Sequence, residues 1–272
     1  MGTREPLIVE GEQLESIFQI NNLDPVRREE IYRSLVPPEA LKRFRIPRSL
    51  RDGQGHLLLD CICPSGTSSV AVSLKHRWDA QDPVLYLEMA DTPNNQLEVL
   101  LFVVNDPESE RFDVDYTPDG RCTELGTVCR NVEEEVRAKE AGLAPGQVRH
   151  GAQLSRRLVP QFEDFVARLD HDRFHIQPLA YHNAILFERY GFSYRVGKGK
   201  MEWIHTEFAP GGLLYHRLDG STPFRKPGAE KSVRGRSWAI HDGILGEPFT
   251  NVRMYKRIDI HAGICTFPNA VW

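Results

Sequence analysis

The spacing of apolar residues between positions 11 and 47 predicts helices. Ile31 and Leu35 repeat at the interval that places side chains on one helical face. They follow Asp24-Pro25, a pair suited to the N-cap and first position of a helix. Pro37-Pro38 ends that helix and can begin a short one, because proline lacks the N–H that a helix interior needs. We therefore expect two consecutive helices near the start of the chain.

Short runs rich in Val, Leu and Ile dominate the next part of the chain and predict β-strands. The runs cover residues 57–63, 69–75, 84–90 and 96–105. Polar breaks containing Pro, Gly, Asp or Asn separate them, a pattern typical of an antiparallel meander. The third and fourth runs are joined by a turn of about five residues, which favours a hairpin.

Helical spacing returns in the middle of the chain. Residues 131–141 predict a polar helix, and residues 153–169 place apolar side chains at steps of three and four. Pro160 is expected to bend or split the second of these helices.

The last quarter of the chain predicts strands again. Residues 201–208 and 213–218 are two apolar runs joined by Ala209-Pro210-Gly211-Gly212, which predicts another hairpin. Residues 222–236 predict a basic loop. The pattern thus predicts an α+β fold with a mixed central sheet and flanking helices. Its parts are an N-terminal helical segment (1–55), a core (56–196) and a β-rich C-terminal extension (197–272).

Composition excludes some partners but selects none. The chain has 34 Lys and Arg against 38 Asp and Glu, so its net charge of −4 gives no general attraction to nucleic acid. No apolar run is long enough to span a bilayer, and the start lacks the basic and apolar regions of a secretory signal. Five cysteines, an odd number, favour reduced thiols over a disulfide framework. We expect a cytoplasmic protein without a membrane or nucleic-acid partner.

Residues 174–192 carry the most informative pattern. A short strand leads to Asn183 and an aliphatic helix, and Glu188-Arg189-Tyr190-Gly191-Phe192 follows. Gly191 can take the positive φ of a helix end, after which Phe192 restarts a strand and buries its ring against the helix. Ala184 is expected to face a sheet.

This segment resembles the late strand–helix–strand element of the GNAT superfamily of acyl-CoA-dependent N-acyltransferases. The resemblance implies transfer of an acyl group, most simply acetyl, from acetyl-CoA or another acyl-CoA to an amine. The family holds the CoA pyrophosphate where a bulged strand meets a helix N-terminus. The nearest equivalent turn here is residues 147–152, although its first glycine falls one residue late and its second is missing. The resemblance therefore places Arg149, His150, Gly151 and Ala152 at the pyrophosphate, and Asn183 at the pantetheine channel.

The sequence departs from the family pattern at the position of the catalytic acid. Phe187 stands where the family often has the tyrosine that protonates the leaving thiolate. Tyr190 is the candidate replacement, with Tyr181 and Tyr194 as alternatives. The acceptor is left open between a small-molecule and a peptide amine, no metal is expected, and a homodimer is one arrangement left open.

Two other hypotheses compete with an acyltransferase. His205 and Glu207 would share one face of the predicted C-terminal hairpin, and His216 on the partner strand, with His241 or His261, would complete a metal site. Alternatively, the chain is a GNAT-like binding module without catalysis, which Phe187 and the altered phosphate turn favour. Cys122 and Cys129 lie seven residues apart across a predicted loop, without the pattern of a zinc ribbon.

Overall fold

A computed structural model describes residues 4–124, 126, 128–151 and 154–272. The α-helices of this part are α1 (Ile17–Asn21), α2 (Pro25–Arg33), α3 (Pro38–Arg43), α4 (Val132–Glu140), α5 (Ser155–Arg168), α6 (Tyr181–Arg189), α7 (Lys198–Glu207), α8 (Leu213–His216) and α9 (Val233–His241). Its strands are β1 (Ile8–Val9), β2 (Glu12–Gln13), β3 (Leu59–Ile62), β4 (Ser69–Leu74), β5 (Leu85–Asp91), β6 (Leu97–Val104), β7 (Arg173–Ile176), β8 (Ser193–Val196) and β9 (Arg253–Arg257).

The sheet is mixed, which confirms the predicted α+β class. Seven strands follow the order β3-β4-β5-β6-β7-β9-β8, and β1 and β2 form a separate pair. The strands from β3 to β6 are antiparallel neighbours, so the predicted meander is confirmed. The pair of β6 and β7 is parallel, with α5 in the connection between the two strands.

The chain forms two compact units, and each draws on separate stretches of sequence. The first unit comprises Met1–Glu108, Gly151–Ile176 and Tyr255–Ile260, and the second comprises Ser109–His150, Gln177–Met254 and His261–Trp272.

Helices α2 and α3 begin where the sequence predicts, at Pro25 and Pro38, whereas α1 was not predicted. Asp24 caps α2, since its carboxylate accepts from the N–H groups of Val26 and Arg27 at 3.1 Å each. The α1 N–H groups of Ile17 and Phe18 donate to the carboxylate of Asp91 at the end of β5, at 2.8 Å each. This capping ties the N-terminal helices to the sheet. Pro160 lies inside α5, which stays a single helix and is not split.

The second unit packs around an aromatic pair. Trp238 and Phe224 are each 1% exposed and stack with ring centroids 5.1 Å apart. The Trp238 indole N–H donates to the carbonyl of Leu143 at 2.8 Å, so the buried polar atom of the ring is paired. Phe112, Val114 and Ala138 complete this core.

The predicted β-rich C-terminal extension is wrong. Residues 201–208 belong to α7 and the turn after it, and residues 213–218 contain α8, so the predicted hairpin is a pair of helices. Met201, Ile204 and Phe208 are buried at helical spacing, and this spacing decides the structure. Gly212 allows the close turn, since a Cβ there would lie 2.4 Å from the carbonyl oxygen of Glu207. The predicted basic loop is partly helical too, because α9 begins at Val233 with Ser232 as its N-cap.

The end of α6 follows the prediction closely. Gly191 has φ +82°, and Phe192 is 1% exposed with its ring 5.1 Å from that of Phe187. Ala184 is fully buried, and β8 begins at Ser193.

Gly191→Ala is expected to destabilise the protein more than Gly211→Ala. Both glycines have positive φ, which costs about 1–2 kcal/mol for a residue with a Cβ. A Cβ at Gly191 would lie 2.8 Å from the Cα of His261, whereas one at Gly211 meets nothing within 4 Å. Overpacking should therefore cost Gly191→Ala roughly a further 1–3 kcal/mol. Urea unfolding of both variants measures the difference, and equal losses would contradict this packing.

Candidate functional site

The parallel strands of the first unit pair over only part of their length. The pairs Leu97↔Phe174, Glu98↔His175 and Val99↔Ile176 join β6 to β7, and β6 then continues to Val104. Among the described residues, positions 100–104 have no strand partner on the side away from β5. A strand edge without a partner presents N–H and C=O groups that a ligand can bind.

A bulge bends β6 at the point where this pairing stops. Glu88 pairs with Leu101, but the next β5 residue, Met89, pairs with Val99, so Leu100 is an extra residue. Leu100 is 43% exposed. The apolar residues at 101–104 are only half-buried, so they offer apolar surface beside the open backbone edge.

Gly151, which precedes α5 in the chain, lies beside the end of β6. A Cβ on Gly151 would lie 3.6 Å from the carbonyl oxygen of Val104. The first turn of α5 contains no acidic residue, and its Arg156 and Arg157 are exposed. The partial positive charge of a helix N-terminus adds to these two guanidinium groups. This corner of the first unit is therefore suited to an anion.

A carboxylate and a hydroxyl lie on the sheet face next to the open strand end. Glu88 and Tyr86 of β5 pair with Leu101 and Val103 of β6, and paired residues project from the same face. The Tyr86 hydroxyl donates to Glu88 Oε2 at 3.4 Å. Burial, together with the neighbouring carboxylate, raises the pKa of Tyr86. Glu88 is thus a half-buried carboxylate beside the bulge, with Tyr86 as its hydrogen-bond partner.

The predicted pyrophosphate residues fall in different parts of the structure. Gly151 is exposed in the first unit, whereas Arg149 and His150 belong to the second. Ala152 lies outside the described residues. The Arg149 guanidinium donates to the carbonyl of Ser109, and the His150 N–H donates to Ser109 Oγ at 3.2 Å. Of the predicted set, only Gly151 lies at the strand end described above.

The remaining residues predicted from the resemblance lie in the second unit. Asn183 is half-buried in the first turn of α6, and Tyr190 is half-buried at its C-cap. Tyr181 is 1% exposed, and burial raises its pKa to about 12. Tyr194 donates to Glu188 Oε1, and burial raises its pKa as well. Tyr181 and Tyr194 are therefore poorly suited to donate a proton to a ligand.

The predicted metal site loses its basis, because its hairpin is helical. His205 and Glu207 are two apart on α7, where successive residues are rotated by about 100° and the two side chains diverge. His205 Nδ1 contacts the Arg236 guanidinium at 3.1 Å, and Glu207 accepts from the Leu213 N–H at 2.6 Å. His216 is exposed on α8. No group of three or more His, Cys, Asp or Glu suited to a metal ion occurs in the described ranges.

A buried polar network in the second unit joins α4 to α9. Glu135 accepts from His241 Nε2 at 2.9 Å and from the Arg130 guanidinium, which also binds Asp242 at 2.9 Å. Burial alone would raise the pKa of Glu135, but these hydrogen bonds outweigh it and the pKa is lowered. The carboxylates are thus held charged by their cationic partners.

His182 is held neutral next to this network. Its Nδ1 lies 2.9 Å from Ser237 Oγ, and it is 4% exposed. Burial, and then the positive charges of Arg234 and His241, lower its pKa from 6.5 to about 3. This histidine has a structural role, since no ligand can reach its ring.

No protein-family model, curated protein or solved structure matches the chain. None of its helices, as far as the described residues extend, has the length and apolar character needed to cross a membrane. The candidate site consists of the open end of β6, Gly151 and the first turn of α5.

Several residues of this site were missed by the sequence patterns. Arg156 and Arg157 are consecutive arginines at the start of a predicted helix, a signal that the charge count alone hides. Tyr86 and Glu88 alternate with the buried Leu85, Leu87 and Met89, which is the ordinary pattern of a half-buried strand. Their location next to the open strand end follows only from the pairing of β5 with the bulged strand.

Lowering the pH is expected to destabilise the protein through His182. The unfolded chain binds this proton near pH 6.5 and the folded chain only near pH 3, so stability falls as pH falls between these values. Between pH 7 and pH 5 the loss is about 2 kcal/mol. His182→Asn should reduce this loss, whereas His216→Asn, at an exposed position, should not. Urea unfolding at both pH values measures this loss of stability in each chain. An unchanged loss in His182→Asn would contradict the lowered pKa of His182.

Proposed function

We propose that this protein binds an acyl-CoA and transfers the acyl group, most simply acetyl, to an amine. The observation that carries the proposal is the open edge of β6, which ends beside Gly151 and the N-terminus of α5. The open strand edge suits the pantetheine arm of CoA, and the helix N-terminus suits its pyrophosphate.

The pantetheine arm of CoA carries two amide groups. Amides pair with an open strand edge in the way that an added strand does. Residues 100–104 offer such an edge, and their half-buried apolar side chains suit the methylene groups of the arm.

The pyrophosphate of CoA is an anion that suits the first turn of α5. Backbone N–H groups and the helix dipole attract negative charge there. Arg156 and Arg157 can add charge-assisted hydrogen bonds, and no acidic residue of this turn opposes them.

The resemblance to the GNAT superfamily adds support from the second half of the chain. Strand β7, helix α6 and strand β8 follow in the order that the resemblance implies, with Gly191 at positive φ after the helix. The bulged β6 before α5 also agrees with it.

Acyl transfer requires that the amine lose a proton. The amine nitrogen attacks the thioester carbonyl carbon, the carbon–sulfur bond breaks and the thiolate of CoA leaves. Because alkyl amines are mostly protonated at neutral pH, a base must take a proton from the nitrogen. Glu88 is our candidate for this base. The roles that the resemblance implies for Tyr190 as acid, and for Asn183, Arg149 and His150 at CoA, remain proposals.

Gly151→Glu is expected to weaken acetyl-CoA binding on the order of 100-fold, since it places a negative charge at the proposed pyrophosphate site. Gly151→Ala should bind as the unchanged chain does, because its Cβ meets only one atom at an ordinary 3.6 Å. Isothermal titration of acetyl-CoA measures both. Gly53→Glu controls for the added charge, since nothing lies within 4 Å of that position. Equal affinities for Gly151→Glu and Gly151→Ala would contradict the site.

Glu88→Gln is expected to lower kcat roughly 100-fold while leaving the Kd for acetyl-CoA unchanged. Release of free CoA thiol in the presence of a panel of amines measures turnover. Glu98→Gln is the matched control, because Glu98 is also half-buried but lies on β6 before the bulge. An undiminished kcat in Glu88→Gln would remove this residue from the reaction.

A binding module without catalysis is the second candidate function. Phe187 stands at the position of the family's acid and is 8% exposed, with its ring packed on Phe192. Acetyl-CoA binding with no amine-dependent thiol release would select this function over the enzyme.

A further inference from the structure

In the second unit the thiol of Cys129 lies against the backbone of Cys122. The Cys129 Sγ lies 3.5 Å from the carbonyl oxygen of Cys122. Standard backbone geometry puts a carbonyl oxygen about 2.4 Å from its own Cα, so this sulfur is within about 6 Å of the Cys122 Cα. A cysteine sulfur lies about 3 Å from its own Cα, so the two Cα atoms lie within about 9 Å of each other. A disulfide joins Cα atoms about 4.4–6.8 Å apart, so its formation needs at most a shift of about 2 Å.

Both ends of the segment are anchored, so the two cysteines stay near each other. Cys122 pairs with Tyr116 in an antiparallel bridge, and the fully buried Thr123 after it donates its hydroxyl to the Val114 carbonyl at 2.9 Å. Cys129 precedes Arg130, whose guanidinium binds Glu135 and Asp242. Closing a bond between residues already held together costs little conformational entropy.

The middle of the segment lies against the buried network of the second unit. Gly126 has φ +82°, and a Cβ there would lie 2.5 Å from His241 Cε1. A bond between Cys122 and Cys129 would therefore join residues on either side of Gly126, which lies against the pair of His241 and Glu135.

Access differs between the two thiols in a way that suits exchange chemistry. Cys122 is exposed and Cys129 is intermediate, and both are free thiols. An exposed thiol can meet an oxidant from solution, and a second, more buried thiol nearby can resolve the product.

We propose that Cys122 and Cys129 form a reversible intrachain disulfide by exchange with a low-molecular-weight disulfide such as oxidised glutathione. The Cys122 thiolate attacks one sulfur of the oxidant, which forms a mixed disulfide and releases one thiolate. The Cys129 thiolate then attacks Cys122 Sγ, which forms the intrachain bond and releases the second thiolate. The two cysteines lose two electrons and two protons, and the oxidant is reduced to two thiols.

The experiment is oxidation of the full chain with oxidised glutathione, followed by mass spectrometry of the intact and the digested protein. The expected result is a Cys122–Cys129 cross-linked peptide that dithiothreitol removes. The oxidised chain should also melt roughly 5 °C higher than the reduced chain, because the bond restricts the unfolded state.

Two variants make the outcome specific. Cys129→Ser should trap glutathione on Cys122, because the resolving thiol is missing, and should show no rise in Tm. Cys265→Ser removes another exposed thiol and should form the cross-link as the unchanged chain does. A stable glutathione adduct on Cys122 of the unchanged chain, or a cross-link to Cys61, Cys63 or Cys265 in place of Cys129, overturns the proposal. The result is independent of acyl-CoA binding.

Discussion

Strand β6 pairs along its whole length on one edge but only in part on the other, and the candidate site depends on this difference. Along one edge β6 pairs with β5 from Leu97 to Val104, and along the other it pairs with β7 only as far as Val99. The extra residue at Leu100 bends the strand where the parallel pairing ends. A sheet that used both edges fully would bury its backbone groups and leave nothing for a ligand to bind.

The open end of β6 also lies near positive charge in the first unit. Gly151 lies beside the end of this strand, where a Cβ would be 3.6 Å from the Val104 carbonyl oxygen. The helix that follows starts without an acidic residue and with two exposed arginines. Elsewhere, buried carboxylates are paired with cations: Glu163 with Lys256 in the first unit, and Glu135 and Asp242 with Arg130 in the second. A cationic corner that faces solvent beside an open strand is thus a feature of the first unit that internal ion pairing does not explain.

Local sequence predicted the elements whose stabilising contacts are local. The cap at Asp24, the positive φ of Gly191 and the strand at residues 84–90 depend on neighbours in the chain, and all three are found in the structure. The parallel partner of β6 is about 75 residues away in sequence, so no local pattern specifies where their pairing stops. The C-terminal helices were misread for a related reason. Residues 201–208 satisfy both a strand and a helical pattern, and the burial of Met201, Ile204 and Phe208 decides between them only after the unit has folded.

Packing at Phe187 bears directly on whether the proposed chemistry can proceed. The ring is buried against Phe192, so the position where the family often has an acid contributes here to the core. Loss of an acid would be severe if the leaving group were an alkoxide, whose conjugate acid ionises far above neutral pH. A thiol ionises near pH 8.5, so CoA can depart as a thiolate at little cost. The harder proton is the one on the attacking amine, because an ammonium cannot attack a thioester. In the proposed reaction, a base such as Glu88 beside the open strand therefore matters more than an acid at the position of Phe187.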